Sequence, residues 1–310
     1  MGKLVGMSET TFDVVIVGGG PAGLSAALML GRGCRKVLVC DGGPGRNERA
    51  EGIHGFVTRD GTPPAEFRRI GREQLAPYDV TVRDTQVTAL TGELDGFSLT
   101  LSTGEQVRAR RVLLAVGMVD RMLDIPGYAR LWGHSIFTCP YCHGWELKNR
   151  PWGLIVPAPA MLDHARFLLN WNPDLTVFTL GRFPVSAEDR ARLGAIRIEE
   201  RPIEALHGEA HIEAAELSGG ERVALGALFV APMQTQSALV TSLGLDLDDL
   251  GYVKVNAMGE TSRRGVHAAG DLTTMMQSVL GAASAAQMAA VAINHLLVMG
   301  PDAHWGPPRR

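Results

Sequence analysis

Apolar residues along this chain come in short dense runs, each followed by a distinct kind of punctuation. Residues 12–17 form a mostly β-branched apolar run, as expected of a parallel strand buried on both faces. Gly18, Gly19, Gly20 and Gly23 follow at once, residues 21–30 read as a helix of small and apolar side chains, and 36–40 supply a second apolar strand ending at Asp41. Together these predict a strand-helix-strand unit. Residues 80–103 alternate apolar and polar, with glycines at 92, 96 and 104, the pattern of antiparallel strands joined by tight turns, and 111–116 is another buried strand. After Ile125-Pro126-Gly127 the pattern restarts. Strands are predicted at 152–156 and 176–180 around a helix at 161–171, residues 196–225 alternate again, and 227–230 resembles 111–116. One plan is used twice. The last stretch, 252–295, holds two more expected strands and a long helix without a domain of its own, and is expected to return to complete the first domain.

Composition narrows the class. A chain of 310 residues that is 45% hydrophobic can bury a sizeable core, about two domains' worth. A formal net charge of -3 without blocks of like charge gives no electrostatic case for nucleic acid or an anionic membrane surface. No window approaches the ~18 consecutive apolar residues of a membrane span. The closest, 281–299, is interrupted by Ser284, Gln287, Asn294 and His295 and reads as a packed small-residue helix. Residues 1–11 carry one lysine and no long apolar run before a cleavage site, so no secretory signal is expected and the protein is placed in the cytoplasm. The 37 glycines call for many tight turns and close backbone approaches.

Gly18-Gly19-Gly20-Pro21-Ala22-Gly23 matches the GxGxxG fingerprint of a dinucleotide site, directly after a strand and opening a helix. Gly18 makes the turn, Gly20 lets the backbone approach a pyrophosphate, and Gly23 permits close helix packing while the helix N-terminus faces the phosphates. Asp41 ends the second strand where a carboxylate can take ribose hydroxyls. A ligand-free glycine turn would share the glycines but not the strand, helix and acid together. FAD and NAD can both use this fingerprint. The run Gly265-Val266-His267-Ala268-Ala269-Gly270-Asp271, leading to a helix with Gln277 and Ser278, resembles the second FAD motif of flavoproteins with two dinucleotide domains. Ala115-Val116-Gly117 resembles their third, shorter motif.

Cys139-Pro140-Tyr141-Cys142-His143-Gly144 carries the candidate redox chemistry. In the first turn of a helix, a CxxC places two sulfurs within disulfide reach, and the helix N-terminus lowers the pKa of the first thiol. Half a zinc site is the alternative, but Cys34 and Cys40 supply no second CxxC, and they read as buried core thiols; no metal is expected. Glutaredoxins also use Cys-Pro-Tyr-Cys, near the start of a small domain, whereas here a complete dinucleotide half-site precedes it. His143 is a candidate general base for a thiol proton, the alternative being a hydrogen bond to a carbonyl.

In this order, the GGGPAG start, the mid-chain CxxC followed by glycine and the Ala-Ala-Gly-Asp end resemble the low-molecular-weight thioredoxin reductase family across essentially the whole chain. The resemblance implies an α/β fold of two Rossmann-like three-layer ββα dinucleotide-binding domains, the second inserted into the first. Residues 1–122 and 228–310 would form the discontinuous FAD domain and 123–227 the inserted CxxC domain. It also implies a homodimer, FAD as cofactor, Cys142 facing the flavin and Cys139 exchanging with substrate. Candidate FAD contacts are Gly18, Gly20, Pro21, Ala22, Gly23, Asp41, Gly42, Arg46, Asn47, His54, Val87, Ala115, Gly117, Gly270, Asp271, Gln277 and Ser278. Family reductases carry aspartate where His143 stands. A histidine there resembles the related dithiol oxidases of natural-product pathways, as does His54-Gly55-Phe56 ahead of Arg59-Asp60-Gly61, although His54 could equally serve loop packing.

A reductase of this family carries a second glycine fingerprint in its inserted domain and a basic cluster for the NADP phosphate. Here Val156-Pro157-Ala158-Pro159-Ala160 stands instead, without glycine and with two prolines that lack amide donors, and Gly181-Arg182-Phe183-Pro184 offers one arginine. The expected activity is therefore FAD-dependent oxidation of a small dithiol or a thioredoxin-like protein by oxygen. The alternatives are a thioredoxin reductase fed by ferredoxin, another flavoprotein or weakly by NADPH, and a flavin-binding sensor without turnover. Beyond Met299, His304 and Trp305 could form an aromatic lid over flavin or a plain disordered end.

Overall fold

The computed structural model describes residues 11–303; the His304-Trp305 tail lies outside the described residues. The chain divides into two compact units, one made of the segments up to Arg46, Ala65–Val119 and from Thr235 on, the other of Asn47–Pro64 and Asp120–Gln234.

In the first unit, the apolar run becomes the strand Thr11–Val17, paired in parallel with Val37–Cys40 on one side and Gln106–Leu114 on the other. Val80–Arg83 extends the sheet beyond Val37–Cys40, and Val266–Ala268 pairs with residues 112–114. The first half of Gln106–Leu114 also pairs antiparallel with Phe97–Leu101, which pairs with Val87–Thr91. One strand thus belongs to both the parallel sheet and the antiparallel meander, and Val15, Leu99, Val112 and Val266 share the core between them. On the other face, Ala26, Ala27 and Leu30 of helix Pro21–Arg32 share a core with Ala286, Ala290 and Ile293 of helix Val279–Met299. By length and composition alone Val279–Met299 could cross a membrane, yet its alanine stripe is part of this core.

The second unit repeats the plan. Its parallel sheet runs Arg197–Glu199, Leu175–Phe178, Trp152–Ile155, Ala227–Val230, Ile136–Phe137, and its meander is Ile203–His207, Ala214–Leu217, Arg222–Ala224. This is the two-unit α/β architecture expected from the repeated pattern.

Three details differ from expectation. The chain crosses between units at 119/120 and 234/235, so the strand Ala227–Val230, which the expected junction at 227/228 would have cut, lies wholly in the second unit, and segment 47–64 groups with it too. Arg49 explains the grouping: its Nη1 donates to the Ala129 carbonyl at 2.8 Å, and a Cβ on Gly133 would stand 2.7 Å from the Arg49 Cβ. The helix expected at 161–171 is broken into a 3-10 turn, Pro159–Met161, and a helix of six residues, Asp163–Leu168. Of the two strands expected in 252–295, only Val266–Ala268 forms, because Asn256 Oδ1 accepts from the Met258 and Glu260 amides and turns the chain before a ladder can start.

His267 lies in that strand opposite Leu113, wholly buried, with neither ring nitrogen hydrogen-bonded. Burial, reinforced by the Arg111 guanidinium, pushes its pKa down to about 4 from the ordinary 6.5. The unfolded chain therefore binds a proton between these values that the folded chain refuses. Stability is full above pH 6.5 and falls as pH drops toward 4, by up to about 3 kcal/mol from this residue. Urea titrations of wild type and His267→Leu across that window should show a shallower pH slope in the variant; parallel profiles would contradict the assignment.

Candidate active site

Side-chain space explains the glycine loop. Gly18 has φ +111°, and a Cβ there would lie 2.3 Å from the Ala115 carbonyl oxygen; one on Gly23 would lie 1.9 Å from the Gly18 carbonyl oxygen, and one on Gly19 2.4 Å from Asp41 Oδ2. These three glycines answer to the protein's own packing. Gly20 does not: a Cβ there would meet nothing within 4 Å. It caps the twelve-residue helix Pro21–Arg32 with Pro21 in the first turn and no side-chain capping bond. A helix N-terminus opening onto free space is where a pyrophosphate can take backbone amides. Gly270 (φ +93°) brings the C-terminal motif to the same place, since a Cβ on it would lie 3.2 Å from the Ala22 Cβ.

Asp41 is buried at the end of its strand, with Arg68 Nη2 at 2.7 Å and Arg72 Nη2 at 2.5 Å, both on Oδ2. Burial alone would raise its pKa, but the two guanidiniums hold the carboxyl below the usual range. Neither arginine stood out in the sequence. Gly42 abuts Gln86, whose amide donates to the Gly42 carbonyl. Arg46 bonds Asp271 at 3.2 Å and also reaches Gln277 Oε1. Asp271 opens a 3-10 turn, Asp271–Thr273, rather than the long helix, and Ser278 caps that helix by accepting from the Gly281 amide at 3.0 Å. Ala115 is hydrogen-bonded to Val17, Gly117 (φ +65°) has open space beside it, and Val87 is in the core. All the candidate cofactor residues except Asn47 and His54 lie in the first unit. The open Gly20 amides, the acid on the second strand and the adjoining Gly270-Asp271 turn fit an FAD diphosphate and its sugars.

In the second unit, Cys139 and Cys142 form a disulfide with Cα atoms 5.3 Å apart. Cys139 is the N-cap of helix Pro140–Leu147, and its Sγ accepts from the Cys142 amide at 3.1 Å. An opened pair would keep that amide and the positive helix end on the Cys139 sulfur, which stabilises a thiolate. Among the described residues no cluster of three or more His, Cys, Asp or Glu converges on one point. Cys40 is buried, its thiol pushed up to about 12 mainly by burial, but Cys34 is exposed, since it follows the turn that ends its helix, with φ +59°.

His143 stacks on Phe137 at 3.8 Å between centroids and 16° between planes, both ring nitrogens buried without a hydrogen bond. Burial first, then the neighbouring His54, pushes its pKa to about 4, and the polar backbone of Cys139 opposes this. The imidazole is neutral at pH 7 and can accept a proton, but it holds one less firmly than an ordinary histidine. His54 has Asp60 Oδ1 at 3.6 Å and Glu146 Oε1 at 3.8 Å.

The family described as pyridine nucleotide-disulphide oxidoreductase matches residues 12–164. The thioredoxin reductase tcpT of Claviceps purpurea is 34% identical over 86% of this chain and 88% of its own, and the thioredoxin reductase sirT of Leptosphaeria maculans is 31% identical over 91% and 93%. An oxidoreductase of Agrobacterium tumefaciens of known crystal structure superposes with a TM-score of 0.87 at 33% identity, over 94% of this chain and all of that one. The chain belongs to the thioredoxin reductase-like FAD oxidoreductases. As a thioredoxin reductase-like enzyme it is a flavin-dependent disulfide oxidoreductase, in keeping with the first unit's cradle and the second unit's disulfide.

That cradle separates two glycine substitutions. Gly20→Val should leave thermal unfolding of the apoprotein nearly unchanged while the purified protein loses its FAD. Gly23→Ala drives a methyl into the Gly18 backbone and should destabilise by roughly 1–3 kcal/mol. Full flavin content in Gly20→Val would contradict the assignment.

Proposed function

We propose that this thioredoxin reductase-like enzyme oxidises dithiols through Cys139–Cys142 without a nicotinamide, and that molecular oxygen is the final acceptor. The observation that carries the reading lies where the second unit repeats the first. The strand Trp152–Ile155 is followed by Pro157, Ala158 and Pro159, one 3-10 turn and a six-residue helix, instead of a glycine loop and a twelve-residue helix. Proline offers no amide, and a helix that short presents little aligned dipole to a pyrophosphate.

The residues perform a dithiol exchange. A substrate thiolate attacks Cys139 Sγ, the Cys139–Cys142 bond breaks, and Cys142 leaves as thiolate. The second substrate thiolate attacks the substrate sulfur of the mixed disulfide, releasing a cyclic or linear disulfide and the Cys139 thiolate, which the Cys142 amide receives. Two electrons now reside on the cysteine pair, and the two substrate protons must leave. His143, next to Cys142 in the chain and neutral at pH 7, is the candidate acceptor for one of them, although burial makes its ring a weaker base than an ordinary histidine. FAD, held through Gly20, Asp41 and Asp271, would supply acceptance of the electron pair and its delivery to oxygen as hydrogen peroxide.

A thioredoxin-like protein is the second candidate partner, favoured by the relatives' names; a reductase direction fed by ferredoxin, another flavoprotein or weakly by NADPH would use the same cysteines. The homodimer and the cytoplasmic location expected from the sequence belong to the proposal too.

With FAD-loaded protein and dithiothreitol in an oxygen electrode, one oxygen should be consumed per disulfide formed, and Cys139→Ser or Cys142→Ser should slow this by at least about a hundredfold. Rapid NADPH-dependent reduction of a disulfide by the protein alone would overturn the proposal.

A further inference from the structure

The CxxC helix turns its two largest rings to solvent: Tyr141 is 73% and Trp145 70% exposed. Trp145 has a partner, the Lys148 ammonium 3.0 Å above its ring. Tyr141 meets rings from elsewhere. Trp171 stands edge-on to it at 5.0 Å and 89°, and Phe167 lies 6.0 Å from Tyr141 and 5.2 Å from Trp171. Gly144 makes this possible, because a Cβ there would come within 2.8 Å of Trp171 Cδ1. The glycine closing the CxxC motif thus seats a tryptophan against the redox helix. Phe167 is 42% exposed, so the corner between the rings is open. His164, 5.6 Å from Phe167, is held below its usual pKa by burial.

We propose that Tyr141, Phe167 and Trp171 form an aromatic subsite that selects dithiols carrying a flat ring next to their thiols. The proposal rests on the dithiol-oxidase reading and names its substrate class. Tyr141 lies between Cys139 and Cys142 in the first turn of helix Pro140–Leu147, so the aromatic corner is built on the same helix turn that carries the reacting sulfurs. Two rings at right angles let a third offer its face to one and its edge to the other, the arrangement aromatic quadrupoles favour. Three rings with centroids within 6.0 Å make a corner for one ring. That is far less than the roughly 800 Å² per side of a protein interface, so the occupant is a small molecule.

The test uses FAD-loaded protein and unreactive probes: the bis-S-methyl ethers of ortho-xylylenedithiol and of dithiothreitol, titrated by calorimetry. The xylylene probe should bind about tenfold more tightly, and Tyr141→Leu or Trp171→Leu should each remove about that factor, while Tyr141→Phe restores it. Tyr141 is so exposed that its replacement leaves the fold intact even if Trp171→Leu does not. Equal affinity for the two probes, failure of the xylylene probe to bind, or affinity unchanged by loss of the Tyr141 ring would overturn the subsite. Dithiothreitol oxidation in air by wild type, measured alongside, keeps the two readings apart: its absence sinks the oxidase reading, and its presence with an indifferent probe pair sinks only the subsite.

Discussion

A disulfide at the start of a helix is the constraint from which the chemistry follows. Cys139 caps Pro140–Leu147, and its sulfur accepts the Cys142 amide, so the group that holds the disulfide in place also receives the thiolate made when it opens. Neighbouring residues answer to that helix. Gly144 is small because Trp171 lies against it, and His143 is buried because its ring stacks on Phe137. A redox pair tuned by a helix end is poised for exchange in either direction; the partners at each side of the pair decide which way electrons run.

Those partners differ because one plan has been used twice with different turns. Both units put a parallel sheet against an antiparallel meander, and both end their first strand where a dinucleotide could bind. The first unit spends glycines there and opens a long helix onto empty space at Gly20. The second spends prolines and starts a helix too short to matter electrostatically. The difference between two similar sites in one chain supports the proposed loss of nicotinamide binding more strongly than either site alone.

Much of this was legible in sequence, for identifiable reasons. Continuous apolar runs are read by period alone, so Thr11–Val17, Val37–Cys40 and Ala227–Val230 stand within a residue or so of expectation. What escaped depends on contacts distant in the chain. Residues 47–64 have little pattern, and Arg49 ties them to the second unit through Ala129. The Asn256 side chain replaced a strand with a turn. At the site, the CxxC and the glycine loop announced themselves by spacing, whereas Arg68 and Arg72 converging on Asp41, and Phe167 and Trp171 meeting Tyr141, come from separate elements and leave no local signature. His143 was visible, but not its burial, and burial is what makes it a weakly held proton site instead of an ordinary histidine.

The central claim is that electrons enter through the cysteine pair from dithiols and not from a nicotinamide. Anaerobic titration of the FAD-loaded protein, followed by the flavin's visible absorbance, tests it most directly. Stoichiometric dithiol should bleach the band in wild type but not in Cys142→Ser, and NADPH should leave it unchanged over the same time. Prompt bleaching by NADPH, or bleaching by dithiol that survives loss of Cys142, would contradict the account.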